Sequence, residues 1–451
     1  MTAQGFLGDA FKGTLRIAPP FLRDAANDFG HLVSSTPLGV LQPRSAAQVQ
    51  ELLSYAGPRG IPVAARGGAF SVFGQAQAPG GVVIDMSAMN RILAVQDDRV
   101  IVEAGARWRD VLAATLPRGL TPPVLTGHPD ASVGGVLCTG GIGGASHRHG
   151  LVSDAVLELQ VVTGAGDHVT CSAEHDADLF HLSLAGLGQC GIITRATVRL
   201  VPAPERVRRY RLSYDDIAHC LDDQRRLAFE GRFLHLECEA RPAVGHGWNY
   251  VLEAVAVHPP HHAPDNTTLI GDLSHDPDRL EVIDVGYDGF VYRGDREERI
   301  LRVTGEWLRP HPWLSLLLAD DTAQSVIADV LNDPGFRDLR TTGHVLLHPL
   351  LSRHLGSPSL RRPHGPLLHL FTLLRTAPAD DPAATDRMVA ANTSAYQRAR
   401  ARHAVAYPTN ALPMSREDWR DHYGERWDAL LVAKRHHDPH SILARGHGLC
   451  G

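Results

Sequence analysis

The sequence predicts a two-domain chain in which helices and strands are mixed along its length. Its 451 residues exceed what one ordinary hydrophobic core organises. The first 200 residues or so alternate strand-like and helix-like patterns, beginning with a β-α-β unit over 38–65. Pro202-Ala203-Pro204 then interrupts the chain, and the texture beyond it changes to longer helical stretches and aromatic-rich strands.

The elements follow in order. Residues 38–42 form a short apolar strand that Pro43 ends. Ser45 and Gln48 have the spacing of a capping box, in which each side chain satisfies an N–H of the first helical turn. Val49, Leu52, Leu53 and Ala56 recur at helical spacing, and Gly57-Pro58 stops the helix. Residues 61–65 form the next strand and run into Arg66-Gly67-Gly68-Ala69, and 82–84 is another strand. Hairpins are expected at 92–103, around Asp97-Asp98-Arg99, and at 156–171, around Gly164-Ala165-Gly166-Asp167. A helix over 177–184 and a β-branched strand over 192–201 lead to the proline boundary. Beyond it, helices are expected at 215–229, 320–332 and 382–404, with a strand at 248–257. A last helix over 416–434 carries Trp419, Tyr423 and Trp427 along one face.

Composition narrows the function. Hydrophobic residues make up 43% and charged residues 21%, the balance of a folded globular protein. A formal charge of -6 gives no basic stripe for a phosphate backbone, so nucleic acid is not an expected partner. No apolar run approaches the roughly 20 residues that cross a bilayer, and the N-terminus lacks a signal-peptide pattern. A soluble, cytoplasmic protein is expected, with no membrane partner. The six cysteines are scattered without a CxxC spacing and read as free thiols. His258-Pro-Pro-His261-His262 reads as a proline-flanked surface loop, because prolines break the spacing that presents paired ligands, and no metal is expected.

Two glycine-rich stretches bear on chemistry. Gly186-Leu187-Gly188-Gln189-Cys190-Gly191 matches GxGxxG, but a helix precedes it and a strand follows, the reverse of a dinucleotide-binding turn. Val133-Gly134-Gly135 through Gly143-Gly144 is denser in glycine than one turn needs, as where backbone approaches an anion or a flat ring.

The motifs together are more specific. In order they are Ala65-Arg66-Gly67-Gly68-Ala69-Phe70-Ser71 through Gly74-Gln75-Ala76, Ser132-Val133-Gly134-Gly135, Ser146-His147-Arg148-His149-Gly150, Asp178-Leu179-Phe180, and Gly186 to Arg195. With Trp419, Trp427, Lys434 and Asp438-Pro439 near the end, this series resembles the cytokinin dehydrogenase branch of the vanillyl-alcohol-oxidase flavoprotein family. The resemblance implies an α+β fold, with a PCMH-type two-subdomain FAD-binding domain at 35–204. It also implies a substrate domain at 205–407, an antiparallel sheet flanked by helices, and a segment at 408–451 that returns to the FAD domain. The implied function is FAD-dependent oxidation of a C–N or C–O bond of a small-molecule substrate by hydride transfer to flavin N5, in bacterial specialised metabolism. O2 is a candidate electron acceptor, and a flavin-bound cyclase or degenerate flavin binder is the alternative.

By the same resemblance, Ala65, Gly67, Gly68, Ala69 and Ser71 cradle the pyrophosphate with Gln75 nearby. Ser132, Cys138 and Ile142 line pyrophosphate and ring, Ile193 touches the adenine side, and Tyr407, Ala444 and His447 reach the ring edge. Three departures stand out. Phe70 replaces the histidine that bonds the flavin in many relatives, and near His128 there is no cysteine for a second attachment, so FAD is expected to be non-covalent. Gly127 stands where cytokinin dehydrogenases carry a catalytic aspartate. Arg445-Gly446-His447 replaces a Pro-Gly-Gln tail. The nearest titratable residues to the vacated position are His128 and Asp130, the candidate displaced base. Glu237, Glu239 and Glu253 are further acids in strand-like segments of the second half, undistinguished by sequence. His147 and His149 are expected to pack under the flavin.

Overall fold

The computed structural model describes residues 11, 14–243, 247–336, 339 and 343–449. The fold is α+β, and its first sheet has the strand order Leu15–Arg16, Gly39–Leu41, Val82–Asp85, Val63–Arg66. The last three strands run parallel, so Val82–Asp85 inserts between the two strands of the expected β-α-β unit. The connecting helix Ala46–Ala56 buries Val49, Leu52, Leu53 and Ala56, the stripe its spacing predicts. The capping box does not form. Ser45 is the N-cap but makes no side-chain hydrogen bond, and Gln48 Oε1 instead accepts from Arg44 N–H at 2.7 Å.

The second sheet is antiparallel, in the order Ile92–Val95, Arg99–Glu103, Gly191–Arg199, Val156–Thr163, His168–Ser172. Both expected hairpins are present in it. The helix Ala177–Ser183 precedes the Gly186–Gly191 turn and a strand follows it, the order that argued against a dinucleotide fingerprint. One continuous core joins this sheet, the first sheet and Ile442 and Leu443 of the C-terminal tail.

The third sheet has eight strands, beginning at the edge with Asp276–Gly286, Arg206–Tyr214, Trp248–His258 and His235–Pro242. It continues through His344–Leu351, Leu367–Leu374, Leu314–Ala319 and Val405–Ala406. Its strands alternate strictly. Leu236, Cys238, Ala240, Val345, Leu347, Phe371 and Leu373 join a core that also takes residues from the helices Ile217–Glu230, Asp320–Asn332 and Ala384–Arg400. The intervening residues face the other way, toward the first two sheets.

The expected last helix is two helices, Arg416–Tyr423 and Trp427–His437, broken where Gly424 takes a left-handed φ of 53°. Trp419, Tyr423 and Trp427 nevertheless share one cluster with Leu187 and Leu449. Beyond the second helix the tail is fastened by a buried ion pair. Lys434 Nζ lies 2.7 Å from Asp438 Oδ2, with side chains 2% and 0% exposed. The ammonium also donates to the carbonyls of Gln189 (2.7 Å) and Leu443 (3.1 Å). Asp438 accepts from the N–H groups of Ile442 and Leu443. The tail thereby pairs with Val63, whose N–H donates to Ile442 O and whose carbonyl accepts from Ala444 N–H.

Removing one partner of such a pair strands a buried charge, which costs about 3–5 kcal/mol. Lys434→Met is expected to lower the unfolding free energy by about that much and to loosen the tail. Urea unfolding of wild type and variant checks this, and equal midpoints would show that the pair holds nothing.

Candidate active site

The cavity between the first two sheets and the third has a volume of about 350 Å³, within the range typical of ligand sites. One wall is the loop that leaves the strand Val63–Arg66. Ala69 there has a positive φ of 58°, a strained conformation for a residue with a Cβ. The loop is pinned from outside by residues 24–30. Phe29 N–H donates to Ala69 O at 2.9 Å, and Gly30 N–H to Ser71 O at 3.2 Å. Asp28 Oδ2 accepts from Ser71 Oγ–H at 3.0 Å and Gly74 N–H at 2.7 Å. Arg66 Nη1 reaches the carbonyls of Asp24 and Asn27. The Ala69 and Ser71 carbonyls are thus turned to residues 29 and 30, which leaves the glycine-rich side of the loop to the cavity, a setting suited to an anion.

The approach is close. A Cβ on Gly67 would lie 1.8 Å from Ser132 Oγ, and one on Gly68 would lie 2.9 Å from the Phe70 ring. Ser132 caps the helix Val133–Thr139 by accepting from Gly135 N–H. Ala65, Gly67, Gly68, Ala69, Ser71, Gln75, Ser132, Cys138, Ile142, Ile193, Tyr407 and His447 all line this one cavity, as does Ala444. The residues expected from five separate stretches of sequence are thus brought together. Tyr407 Oη accepts from Gly141 N–H, joining the edge of the third sheet to the glycine-rich segment. Burial pushes the Cys138 thiol up to about 12. The buried His447 imidazole falls to about 4, through loss of water and then the Lys434 charge.

His128 and Asp130 part company. His128 lines the cavity, its ring stacked between Phe70 (5.5 Å between centroids) and Trp313 (6.3 Å), and burial lowers its pKa. Asp130 is absent from the lining. Its carboxylate lies 2.8 Å from Arg109 and 3.3 Å from Arg107, and Arg109 also grips Asp295 at 2.8 Å. The Arg109 hydrogen bond holds Asp130 below the usual carboxylate range, so its oxygens serve an ion-pair network between the two halves. A Cβ at Gly127 would meet nothing within 4 Å, so the position is open. His147 is fully buried, with its ring nitrogens on the carbonyls of Gly144 and Phe233.

The opposite wall is the outward face of the third sheet. Leu346 and His348 lie on one strand, Leu370, Thr372 and Leu374 on the next, and Glu237 on the strand before them. Glu237 Oε2 lies 2.8 Å from His348 Nε2. Burial works to raise the Glu237 pKa, but the His348 hydrogen bond and the nearby Arg293 charge outweigh it and hold the carboxyl well below its ordinary range. His348 Nδ1 is buried with no hydrogen-bond partner. The other two acids are neutralised elsewhere: Glu239 pairs with Arg241, and Glu253 with Arg209 and Arg293. His348 escaped the sequence reading because its strand, covered on both faces, shows a nearly continuous apolar run, and Trp313 lies in the loop just before the strand Leu314–Ala319. Asp28, on an unremarkable stretch, gave no signal at all.

A glycine-rich loop on one wall of the cavity and polar and apolar side chains of the third sheet on the other suit a cofactor and a small substrate, and likeness to known proteins makes the chain an FAD-dependent oxidoreductase. Residues 37–172 match the family profile described as FAD binding domain. Residues 243–450 match one described as Cytokinin dehydrogenase 1, FAD and cytokinin binding. An uncharacterized oxidoreductase, ORF5 in the fasciation locus of Rhodococcoides fascians, is 40% identical, covering 94% of this chain and 96% of its own. Cytokinin dehydrogenase 5 of rice (Oryza sativa subsp. japonica) is 35% identical over 98% and 92%, and cytokinin dehydrogenase 2 of Arabidopsis thaliana 32% over 96% and 93%. The chain belongs to the cytokinin dehydrogenase family, and its cofactor is FAD. No helix among the described residues is long and apolar enough to cross a membrane.

Gly67→Val is expected to abolish flavin retention, because its side chain would occupy the space now shared with Ser132 and the loop donors. The ratio of flavin to protein absorbance after purification checks this, and a variant as yellow as wild type would refute it.

Proposed function

We propose that the protein oxidises a C–N or C–O bond of a small, mostly apolar metabolite held between the loop wall and the third sheet. The observation that carries this reading is the Glu237–His348 pair set among leucines and Thr372 in the sheet wall. The Glu237 carboxylate faces the cavity beside the His348 ring and can accept from an N–H or O–H donor. Bound FAD supplies the hydride acceptor for the C–H bond adjacent to that nitrogen or oxygen. Glu237 accepts the N–H or O–H proton, leaving a C=N or C=O bond in the product. The His348 hydrogen bond holds the Glu237 carboxyl low, so it takes the proton only as hydride leaves the substrate and the N–H or O–H becomes acidic. Leu346, Leu370 and Leu374 keep water from the reacting atoms, while Phe70, His128 and Trp313 give an aromatic wall for a flat body. This reading assigns the base to Glu237 rather than to Asp130, and gives His128 a packing role.

An amine is favoured over an alcohol, since the family's named substrates, the cytokinins, give this reading its nearest precedent. The open position at Gly127 supports a substrate contact different from that of relatives with an aspartate there. The relative from a fasciation locus supports a setting in bacterial specialised metabolism. We also propose the division into an FAD domain at 35–204, a substrate domain at 205–407 and a returning segment at 408–451, which the separate cores of the sheets support.

Glu237→Gln is expected to keep its flavin yet lose about 10²–10⁴-fold in the rate of substrate-dependent bleaching under anaerobic conditions. Asp130→Asn should bleach within about threefold of wild type. Unchanged bleaching in Glu237→Gln, or its loss in Asp130→Asn alone, would return the base to the 127–130 loop. Readmitting air and assaying peroxide tests O2 as the acceptor.

The flavin is proposed to be non-covalent. Phe70 has no nucleophile, and the Cys138 thiol, with a pKa of about 12, stays protonated at neutral pH. Acid precipitation should release all the yellow colour into the supernatant. A fluorescent band that stays with the denatured chain on a gel would overturn this and single out His128.

A further inference from the structure

A second concavity, of about 430 Å³, lies away from the FAD cavity. It forms where the start of the helix Asp320–Asn332, the 361–364 loop, the end of the helix Ala384–Arg400 and the end of the helix Arg416–Tyr423 meet. Four guanidiniums line it, Arg361, Arg362, Arg400 and Arg402, against the carboxylates of Asp321 and Asp421. Only Arg400 is matched within the site, by Asp421 at 2.8 Å. Arg361 spends Nε on His422 O, and Arg362 spends Nη1 on Leu355 O. Arg402 Nη1 is buried with no hydrogen-bond partner.

A buried guanidinium donor left unmade costs free energy, and like charges gathered in one cavity add to that cost. The neighbourhood reports the same field. Burial, then the nearby Arg426, lowers the pKa of Arg362. His422 falls to about 3 through burial, Arg361 and Arg400. An anion would relieve both penalties, and the forked donors of arginine suit oxygens set around one centre.

We propose that this concavity is a binding site for a phosphoryl group, with Arg402 donating from its floor and Arg361 and Arg362 from its walls. The cavity exceeds the size of phosphate alone, so either free phosphate or the phosphoryl end of a small monoester fits. The site is wired to the FAD cavity by a short stretch of chain, since Arg402 leads through the strand Val405–Ala406 to Tyr407. It does not depend on which bond the enzyme oxidises.

The test uses the FAD-loaded protein, so that the pyrophosphate cradle is already filled. Isothermal titration with inorganic phosphate and with AMP, at ionic strength held constant with chloride, should show saturable binding at about one site per chain. Tighter binding of AMP would assign the site to a monoester, and equal binding to phosphate itself. Arg402→Gln and Arg361→Gln should each weaken binding at least tenfold while keeping the yellow colour and a ligand-free melting temperature no lower than that of wild type. If Arg402→Gln fails to fold, Arg361→Gln decides alone. No saturable binding to wild type, or the same affinity in a folded variant, would overturn the proposal.

Discussion

The fold of the FAD lobe depends on one ammonium. Lys434 sits where the Gly186–Gly191 turn, the second C-terminal helix and the tail converge, and it bonds to all three. A lysine with no water around it must find every partner inside the protein, and here a carboxylate and two carbonyls fill its three donors. Asp438 in turn spends its oxygens on Ile442 and Leu443 N–H, which sets the register in which the tail pairs with Val63. Ala444 and His447 reach the cavity from residues far away in sequence because of this chain of bonds. The chain has only two lysines, and this one has a place that arginine, longer and planar, does not fit.

The second organising feature is the period of two in the eight-stranded sheet. Three central strands send alternate residues to the helix-covered core and Glu237, Leu346, His348, Leu370, Thr372 and Leu374 to the cavity. His348 therefore reaches Glu237 from the neighbouring strand, while Leu347 and Cys238 lie on the opposite face with the helices. A slip of one residue in the register between these strands would exchange those roles, placing a carboxylate in an apolar core. The helical core on one face thus secures the chemistry on the other.

Aromatic rings back the loop side of the cavity. Phe70 packs with Phe29 and His128, and His128 with Trp313. Arg109, holding Asp130 and Asp295 together, ties the 127–130 loop to the substrate-side helix Asp295–Val303. The opening left by Gly127 is thereby framed by rigid neighbours.

Local sequence determined the elements with strong periodicity or punctuation. The helix Ala46–Ala56, both hairpins, the reversed GxGxxG order and the glycine loops could be read directly, because side-chain spacing and glycine chemistry act over a few residues. Gln48 shows the limit of such reading: its spacing fits a capping box, but the side chain reaches Arg44 N–H, a choice between neighbouring donors that the pattern does not encode. The resemblance of ordered motifs pointed to FAD and its loop residues. Proximity in sequence to Gly127 pointed equally to His128 and Asp130, and only the folded chain separated them, because ion pairing with Arg109 comes from a helix and turn apart in sequence. The pairing of Glu237 with His348, 111 residues apart in sequence, was decided by sheet register. Such long-range contacts depend on how separately legible strands align, and no local spacing carries that information.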